Sequence, residues 1–136
     1  MVKGSILIVD DDEVIRKSLW DTLTQEGYEV LVANDGASGL IKALEEKPDL
    51  VVIDVEMPVM NGMDMLKKLR ESGDWGKSLP AIILTNYDTT DKVLQGVIED
   101  KPSMYILKSQ ANPAEIVEHI REKLGPNNLP ITPSEV

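Results

Sequence analysis

The chain has 136 residues, of which 42% are hydrophobic and 28% are charged, and its formal net charge at pH 7 is −10. This length and apolar content suit one small domain with its own core, the lack of cysteine excludes disulfides and thiolate metal sites, and the acidic balance argues against direct nucleic-acid binding. No apolar run approaches the roughly 20 residues of a membrane helix and no signal peptide precedes the first strand, so we expect a cytoplasmic protein that binds no membrane.

Apolar runs alternate with helical patterns along the first half of the chain. Ile15, Leu19 and Leu23 are spaced by four residues, as one face of a helix requires. Gly27 and Pro48 supply the residues that end helices. Strands are predicted at 6–9, 28–33 and 50–53, and helices at 14–26 and 37–47.

The second half of the chain continues the same alternation and ends in a Pro-rich polar segment. Helices are predicted at 63–70, 88–99 and 113–124, strands at 81–84 and 104–107, and a loop at 72–76. Five strand–helix units in this order predict an α/β fold, a doubly wound five-stranded parallel sheet with helices on both faces. We expect one domain at 1–125, followed by a flexible tail or linker stub at 126–136.

Carboxylates follow two of the apolar strands at the point where each strand ends. Asp10 and Asp11 come after Val9, and Asp54 follows Ile53. The carboxyl ends of parallel strands meet along one edge of a sheet, where ligand crevices form. Carboxylates gathered there repel one another unless a cation shares the site, and oxygen ligands suit a hard divalent ion. The sequence therefore predicts a Mg²⁺ site.

Four short motifs occur at successive strand ends of the predicted sheet. They are Ile8-Val9-Asp10-Asp11-Asp12, Asp54-Val55-Glu56-Met57-Pro58 with Asn61-Gly62, Leu84-Thr85, and Tyr105-Ile106-Leu107-Lys108. Together, over residues 4–124, they resemble the receiver domain of two-component response regulators, including the single-domain chemotaxis type. The resemblance implies a flavodoxin-like sheet with strand order 2-1-3-4-5.

The resemblance also implies a phosphoacceptor and its metal ligands. Asp54 would accept a phosphoryl group from a sensor histidine kinase or a phosphotransfer protein, giving an aspartyl phosphate. Asp11 would bind Mg²⁺ directly, Asp10 directly or through water, and the backbone carbonyl of Glu56 would complete the protein ligands. Such a protein takes part in its own phosphorylation and is not a turnover enzyme.

Three further residues receive roles from the same resemblance. Lys108 would place a positive charge on one phosphoryl oxygen, and the Thr85 hydroxyl would bond to another. Tyr105 would be the aromatic switch that turns inward when Thr85 moves, changing a surface that a downstream protein target recognises.

The chain departs from the family pattern around the last two strands. Ser109 stands where a proline usually follows the lysine, and Asn86 where a small residue is usual. By the same resemblance, Tyr87 and Glu56 would flank the path of a hydrolytic water and would influence the lifetime of the acyl phosphate.

Two alternatives remain open from the sequence. The chain could be the N-terminal receiver of a longer DNA-binding or enzymatic regulator. It could also be a haloacid-dehalogenase-type phosphatase in which Asp10 is the nucleophile and Asp12 the acid and base. The second alternative requires another acidic pair after a late strand, which the segment 109–112 does not offer, and it leaves Asp54 without a role.

Overall fold

A computed structural model of the chain describes residues 4–57, 59–85, 104–107 and 112–124. In this part, five parallel strands form one sheet in the order β2-β1-β3-β4-β5, which confirms the predicted fold and strand order. The strands are β1 (Ser5–Val9), β2 (Glu29–Ala33), β3 (Leu50–Asp54), β4 (Ala81–Thr85) and β5 (Met104–Leu107).

Five helices occur in the same part of the chain, and four of them match predicted helices to within a residue or two. They are α1 (Glu13–Gln25), α2 (Gly36–Glu46), α3 (Gly62–Arg70), α4 (Asp74–Ser78) and α5 (Pro113–Leu124). The helix predicted at 88–99 and the tail predicted at 126–136 lie outside the described residues, as do Asn86, Tyr87 and Ser109.

The sheet has a separate hydrophobic core on each face, because successive side chains of a strand point to opposite sides. Leu7 and Val9 belong to the cluster that packs under α2 and α3. Ile6 and Ile8 belong to the cluster under α1 and α5. All four side chains are fully buried. Since both faces are covered, the carboxyl ends of the strands are the expected place for a ligand crevice.

The loop predicted at 72–76 is wrong from Asp74 onward, where the one-turn helix α4 begins. The Arg70 guanidinium donates a hydrogen bond of 2.7 Å to the Gly76 carbonyl and thereby closes this turn against α3. Trp75 packs against the core cluster under α3. Gly76 resembles a loop residue in the sequence, but it is small because a Cβ there would lie 1.8 Å from a carbonyl oxygen of α3.

An ion pair joins α5 to the end of α1, far from the strand ends that carry the carboxylates. Arg121 contacts Glu26 at 2.9 Å. Burial raises the pKa of the neighbouring Tyr28 phenol above its ordinary value.

Among the described residues, no helix is both long and apolar enough to cross a bilayer.

Candidate functional site

The register of the central strands places Asp10 and Asp54 side by side. Val9 of β1 is the register partner of Ile53 of β3, so the next residues, Asp10 and Asp54, lie level at the ends of neighbouring strands. Adjacent strands are about 4.8 Å apart. The two side chains are therefore brought together by the sheet itself.

Three carboxylates meet at this edge, as the sequence predicts. Oxygen atoms of Asp10, Asp11 and Asp54 all lie within 4.8 Å of one another. Asp10 is 0% exposed and Asp54 is 1% exposed, whereas Asp11 is exposed at the mouth of the site. Three negative charges at this separation, two of them removed from water, repel one another strongly. The arrangement is therefore suited to a cation.

The β1–α1 loop fixes Asp10 through several hydrogen bonds. Its Oδ1 accepts the backbone N–H of Asp12 at 2.9 Å, and its own N–H donates to the Ala33 carbonyl at 3.1 Å. The Arg16 guanidinium donates to the Asp10 carbonyl oxygen at 2.7 Å. These bonds fix the Asp10 carboxylate and the peptide that joins Asp10 to Asp11.

The β3–α3 loop holds Asp54 by a similar backbone hydrogen bond to its carboxylate. Its Oδ1 accepts the backbone N–H of Glu56 at 3.3 Å. The N–H of Val55 donates to the Leu84 carbonyl of β4 at 2.9 Å, and the N–H of Gly62 donates to the Val55 carbonyl at 3.0 Å. The loop thus leaves Asp54 at the strand end and closes back on it before α3 begins.

The carboxylates present fit Mg²⁺. This ion is held by oxygen ligands at about 2.0–2.1 Å, so ligands on opposite sides of it are about 4 Å apart. The cluster of Asp10, Asp11 and Asp54 supplies oxygen donors only, and its spread of 4.8 Å is close to that distance. A carboxylate has two oxygens, so the loop hydrogen bonds to Asp10 and Asp54 do not prevent metal binding.

Of the remaining predicted site residues, the structure describes Thr85 in full, Tyr105 by its backbone only, and Lys108 not at all. Thr85 is fully buried at the end of β4, directly after Leu84, the register partner of Asp54. The backbone of Tyr105, in β5, pairs with Ile83 of β4, whereas the Tyr105 side chain is outside the described part. Lys108 lies outside the described residues. Its role therefore stays a prediction.

Asp12 does not belong to the carboxylate cluster. Its Oδ1 accepts the N–H groups of Val14 and Ile15 at 2.9 and 3.4 Å, so this side chain is the N-cap of α1. The phosphatase alternative needs Asp12 as an acid and base beside Asp10. Its observed contacts give Asp12 a role in helix capping instead.

Two residues support the loops in ways that the sequence analysis did not predict: Arg16 belongs to no recognisable motif, and Asn61 belongs to a quoted motif but was given no capping role. Arg16 holds the Asp10 carbonyl, and the Asn61 side chain caps α3 by accepting the Asp64 N–H at 2.9 Å. A long side chain in the first turns of a helix points back toward its N-terminus, which is the one signal that could have singled out Arg16. Asn61 could have been found as a capping residue before an apolar helix.

Comparisons with known proteins agree with this geometry. Residues 6–121 match the family described as the response regulator receiver domain. Over 92 residues the chain is 39% identical to the response regulator MprA of Mycobacterium leprae, an alignment that covers 68% of this chain and 39% of MprA. The chain therefore spans about two fifths of the length of the curated relatives it matches.

Solved structures of similar proteins share the fold over most of the chain. A CheY-like receiver domain protein from Methanospirillum hungatei is 33% identical with a TM-score of 0.80, covering 88% of this chain and 92% of that one. The chemotaxis protein CheY4 of Vibrio cholerae is 30% identical with a TM-score of 0.79, covering 90% and 98%. These matches favour the receiver interpretation over the phosphatase alternative.

Proposed function

This chain belongs to the response regulator receiver family of two-component signalling, and we propose that Asp54 accepts a phosphoryl group from a histidine kinase or a phosphotransfer protein. The observation that carries the proposal is the position of Asp54, which is buried at the end of β3 with oxygens of Asp10 and Asp11 within 4.8 Å. A signalling domain of this family is not a turnover enzyme.

The proposed step is a transfer between two side chains. An oxygen of the Asp54 carboxylate forms a bond to the phosphorus of a phosphohistidine, and the P–N bond breaks. The electron pair of that bond stays on the imidazole nitrogen, which takes up a proton. The product is an acyl phosphate on Asp54. Catalysis of such a transfer is mostly positioning and charge neutralisation, which the fixed loops and a metal site would provide.

Asp11 and Asp54 would hold Mg²⁺ directly, Asp10 directly or through water, and the backbone carbonyl of Glu56 would add a further oxygen. When bound, the metal supplies positive charge that offsets the repulsion between the carboxylates and the incoming phosphoryl oxygens. The protein contributes a fixed geometry, because Asp10 is already held by Arg16 and by the N–H of Asp12.

Phosphorylation would change side-chain contacts at the ends of the neighbouring strands β4 and β5. Thr85 would bond to a phosphoryl oxygen, Lys108 would place its ammonium on another, and Tyr105 would change position with Thr85. A ligand shifts an equilibrium only through contacts that differ between the two states, and the Thr85 hydroxyl is that contact in this proposal. The net charge of −10 favours a downstream protein as the target over nucleic acid.

Two settings for this domain are proposed. A stand-alone receiver at 1–125 with a tail at 126–136 is supported by the match to CheY4, of which 98% is covered. The N-terminal receiver of a longer regulator is supported by MprA, of which only 39% is covered. The gene sequence that follows codon 136 in the source genome distinguishes the two settings.

Acetyl phosphate labelling tests the phosphoacceptor. With Mg²⁺ and acetyl phosphate, intact-mass measurement should show one added phosphoryl group on the parent protein and none on Asp54→Asn. Asp12→Asn is the matched control, because it removes a nearby charge outside the cluster, and it should label like the parent. Equal labelling of Asp54→Asn and the parent would contradict the proposal.

A further inference from the structure

We propose that a cavity beside the edge strand β2 binds a phosphate-type oxyanion, separately from the acidic site. The cavity has a volume of about 360 Å³ and lies between α1 and α2. We call it the edge cavity, and its lining residues are Arg16, Val32, Ala33, Asn34, Ser38 and Lys42.

The edge cavity concentrates positive charge in a protein whose net charge is −10. Its lining contains two cationic side chains and no acidic one. Two other surface cavities provide a comparison. One is lined by two acidic and two basic side chains of α1 and shares Arg16 with the edge cavity, and another is lined by two acidic and two basic side chains of α3 and its C-cap. The charges of those cavities balance, whereas the charge of the edge cavity does not.

The two cations of the edge cavity are held in place by neutral groups. Arg16 donates to the Asp10 carbonyl at 2.7 Å, and Lys42 donates to the Val32 carbonyl at 3.1 Å. Neither has a carboxylate within 4.0 Å among the described residues. A guanidinium has five N–H donors and an ammonium three, so each side chain keeps donors for a ligand. The side chains are thus positioned without being neutralised.

A phosphate group fits this lining better than a carboxylate does. Arg16 and Lys42 approach the cavity from two helices and have donors for more oxygens than the two that a carboxylate offers, whereas the Ser38 hydroxyl donates to the Asp35 carbonyl at 3.4 Å. The nearest capping carboxylate, Asp35, accepts the Ser38 N–H at 2.7 Å and does not line the cavity. An occupant would therefore bridge α1 and α2 across β2.

Phosphate titration without metal tests this inference independently of phosphorylation at Asp54. The uniformly ¹⁵N-labelled full chain, in EDTA at constant ionic strength, is titrated with inorganic phosphate and, separately, with acetate. We expect saturable amide shifts at Ala33, Asn34 and Ser38 with phosphate and weaker ones with acetate. Lys42→Gln should weaken phosphate binding by about tenfold, the loss of one charge-assisted hydrogen bond.

The matched control is Lys67→Gln, which removes the same charge from α3 at the charge-balanced cavity that shares no residue with the edge cavity. It should bind phosphate within about twofold of the parent, because distant surface charges are screened. The inference is overturned if phosphate produces no saturable shift, if Lys42→Gln and Lys67→Gln bind alike, or if acetate binds as tightly as phosphate. Shifts centred on Asp54 would also overturn it, since the anion would then occupy the acidic site.

Discussion

The β1–α1 loop and the β3–α3 loop bring carboxylates to the same edge of the sheet, but the first has three residues between strand and helix and the second has seven. In both, an aspartate Oδ1 accepts the N–H of the residue two positions later, Asp12 for Asp10 and Glu56 for Asp54. The loops differ in how they hold this shared arrangement.

Side chains fix the short loop. Arg16 holds the Asp10 carbonyl, and Asp12 caps α1. Close backbone packing fixes the long loop. A Cβ on Gly62 would lie 2.2 Å from the Asp54 carbonyl oxygen, and Val59 has a positive φ of 70°. The short loop should therefore respond to changes of hydrogen-bonding groups, and the long loop to changes of side-chain volume and backbone conformation.

The largest effect is expected from Gly62→Ala in the long loop. The added Cβ would also lie 2.6 Å from Ile53 Cγ2, so the backbone at Asp54 must move. Urea denaturation should show a loss of about 3 kcal/mol or more, typical of overpacking against backbone, and labelling of Asp54 by acetyl phosphate should be impaired.

The control for this variant is Gly73→Ala. Gly73 has a φ of 136° but no atom within 4 Å of an added Cβ, so only backbone strain of about 1–2 kcal/mol is expected there. Equal losses for the two variants would show that close packing is not what holds the long loop.

Metal binding compares the two exposed aspartates of the short loop. A ligand that binds only the folded state stabilises it by about 2.7 kcal/mol at a hundredfold excess over Kd. Mg²⁺ should therefore raise the denaturation midpoint of the parent and of Asp12→Asn relative to EDTA. Asp11→Asn should lose most of this gain. An undiminished gain in Asp11→Asn would remove Asp11 from the ligand set.

The sequence predicts much of this edge because its strands are wholly apolar and end in charged residues. Leu50 to Ile53 are all apolar and covered on both faces, so a buried strand that ends close to Asp54 follows from the sequence. The meeting of Asp10, Asp11 and Asp54 then follows from the parallel sheet. The strand order came from the family resemblance, and the structure confirms it.

Features that depend on one hydrogen bond from an arginine side chain to a backbone carbonyl six residues away were not predictable. The Arg70 guanidinium stabilises α4 by donating to the Gly76 carbonyl, whereas Gly73 and Gly76 favour a loop in the sequence. The hydrogen bond from Arg16 to the Asp10 carbonyl has only one sequence signal, a long side chain in the first turns of α1, and any long donor at that position would give the same signal. Local propensity carries no information about such tertiary bonds.

The caps at the ends of the two loops should contribute equally. Asp12→Ala and Asn61→Ala each remove an acceptor for helix N–H groups, and each should cost about 1 kcal/mol in urea denaturation. Asp12→Asn and Asn61→Asp keep an acceptor and should remain near the parent. Asp12→Ala should still be labelled by acetyl phosphate. A loss of labelling would mean that Asp12 takes part in the chemistry.

The smallest expected effect, and one of opposite sign, is at Val59 in the long loop. A β-branched residue at φ 70° carries a strain of about 1–2 kcal/mol, and glycine removes it while adding some entropy to the unfolded chain. Val59 is 83% exposed, so little packing is lost. Val59→Gly should therefore stabilise the protein by roughly 0.5 kcal/mol.

Val14→Gly is the matched change beside the short loop, where the valine is 76% exposed in α1. There, glycine should destabilise by roughly 0.5 kcal/mol, because it lowers helix propensity without relieving strain. If both variants lost stability equally in urea denaturation, the positive φ of Val59 would not be a source of strain, and the long loop would be held by the packing of Gly62 alone.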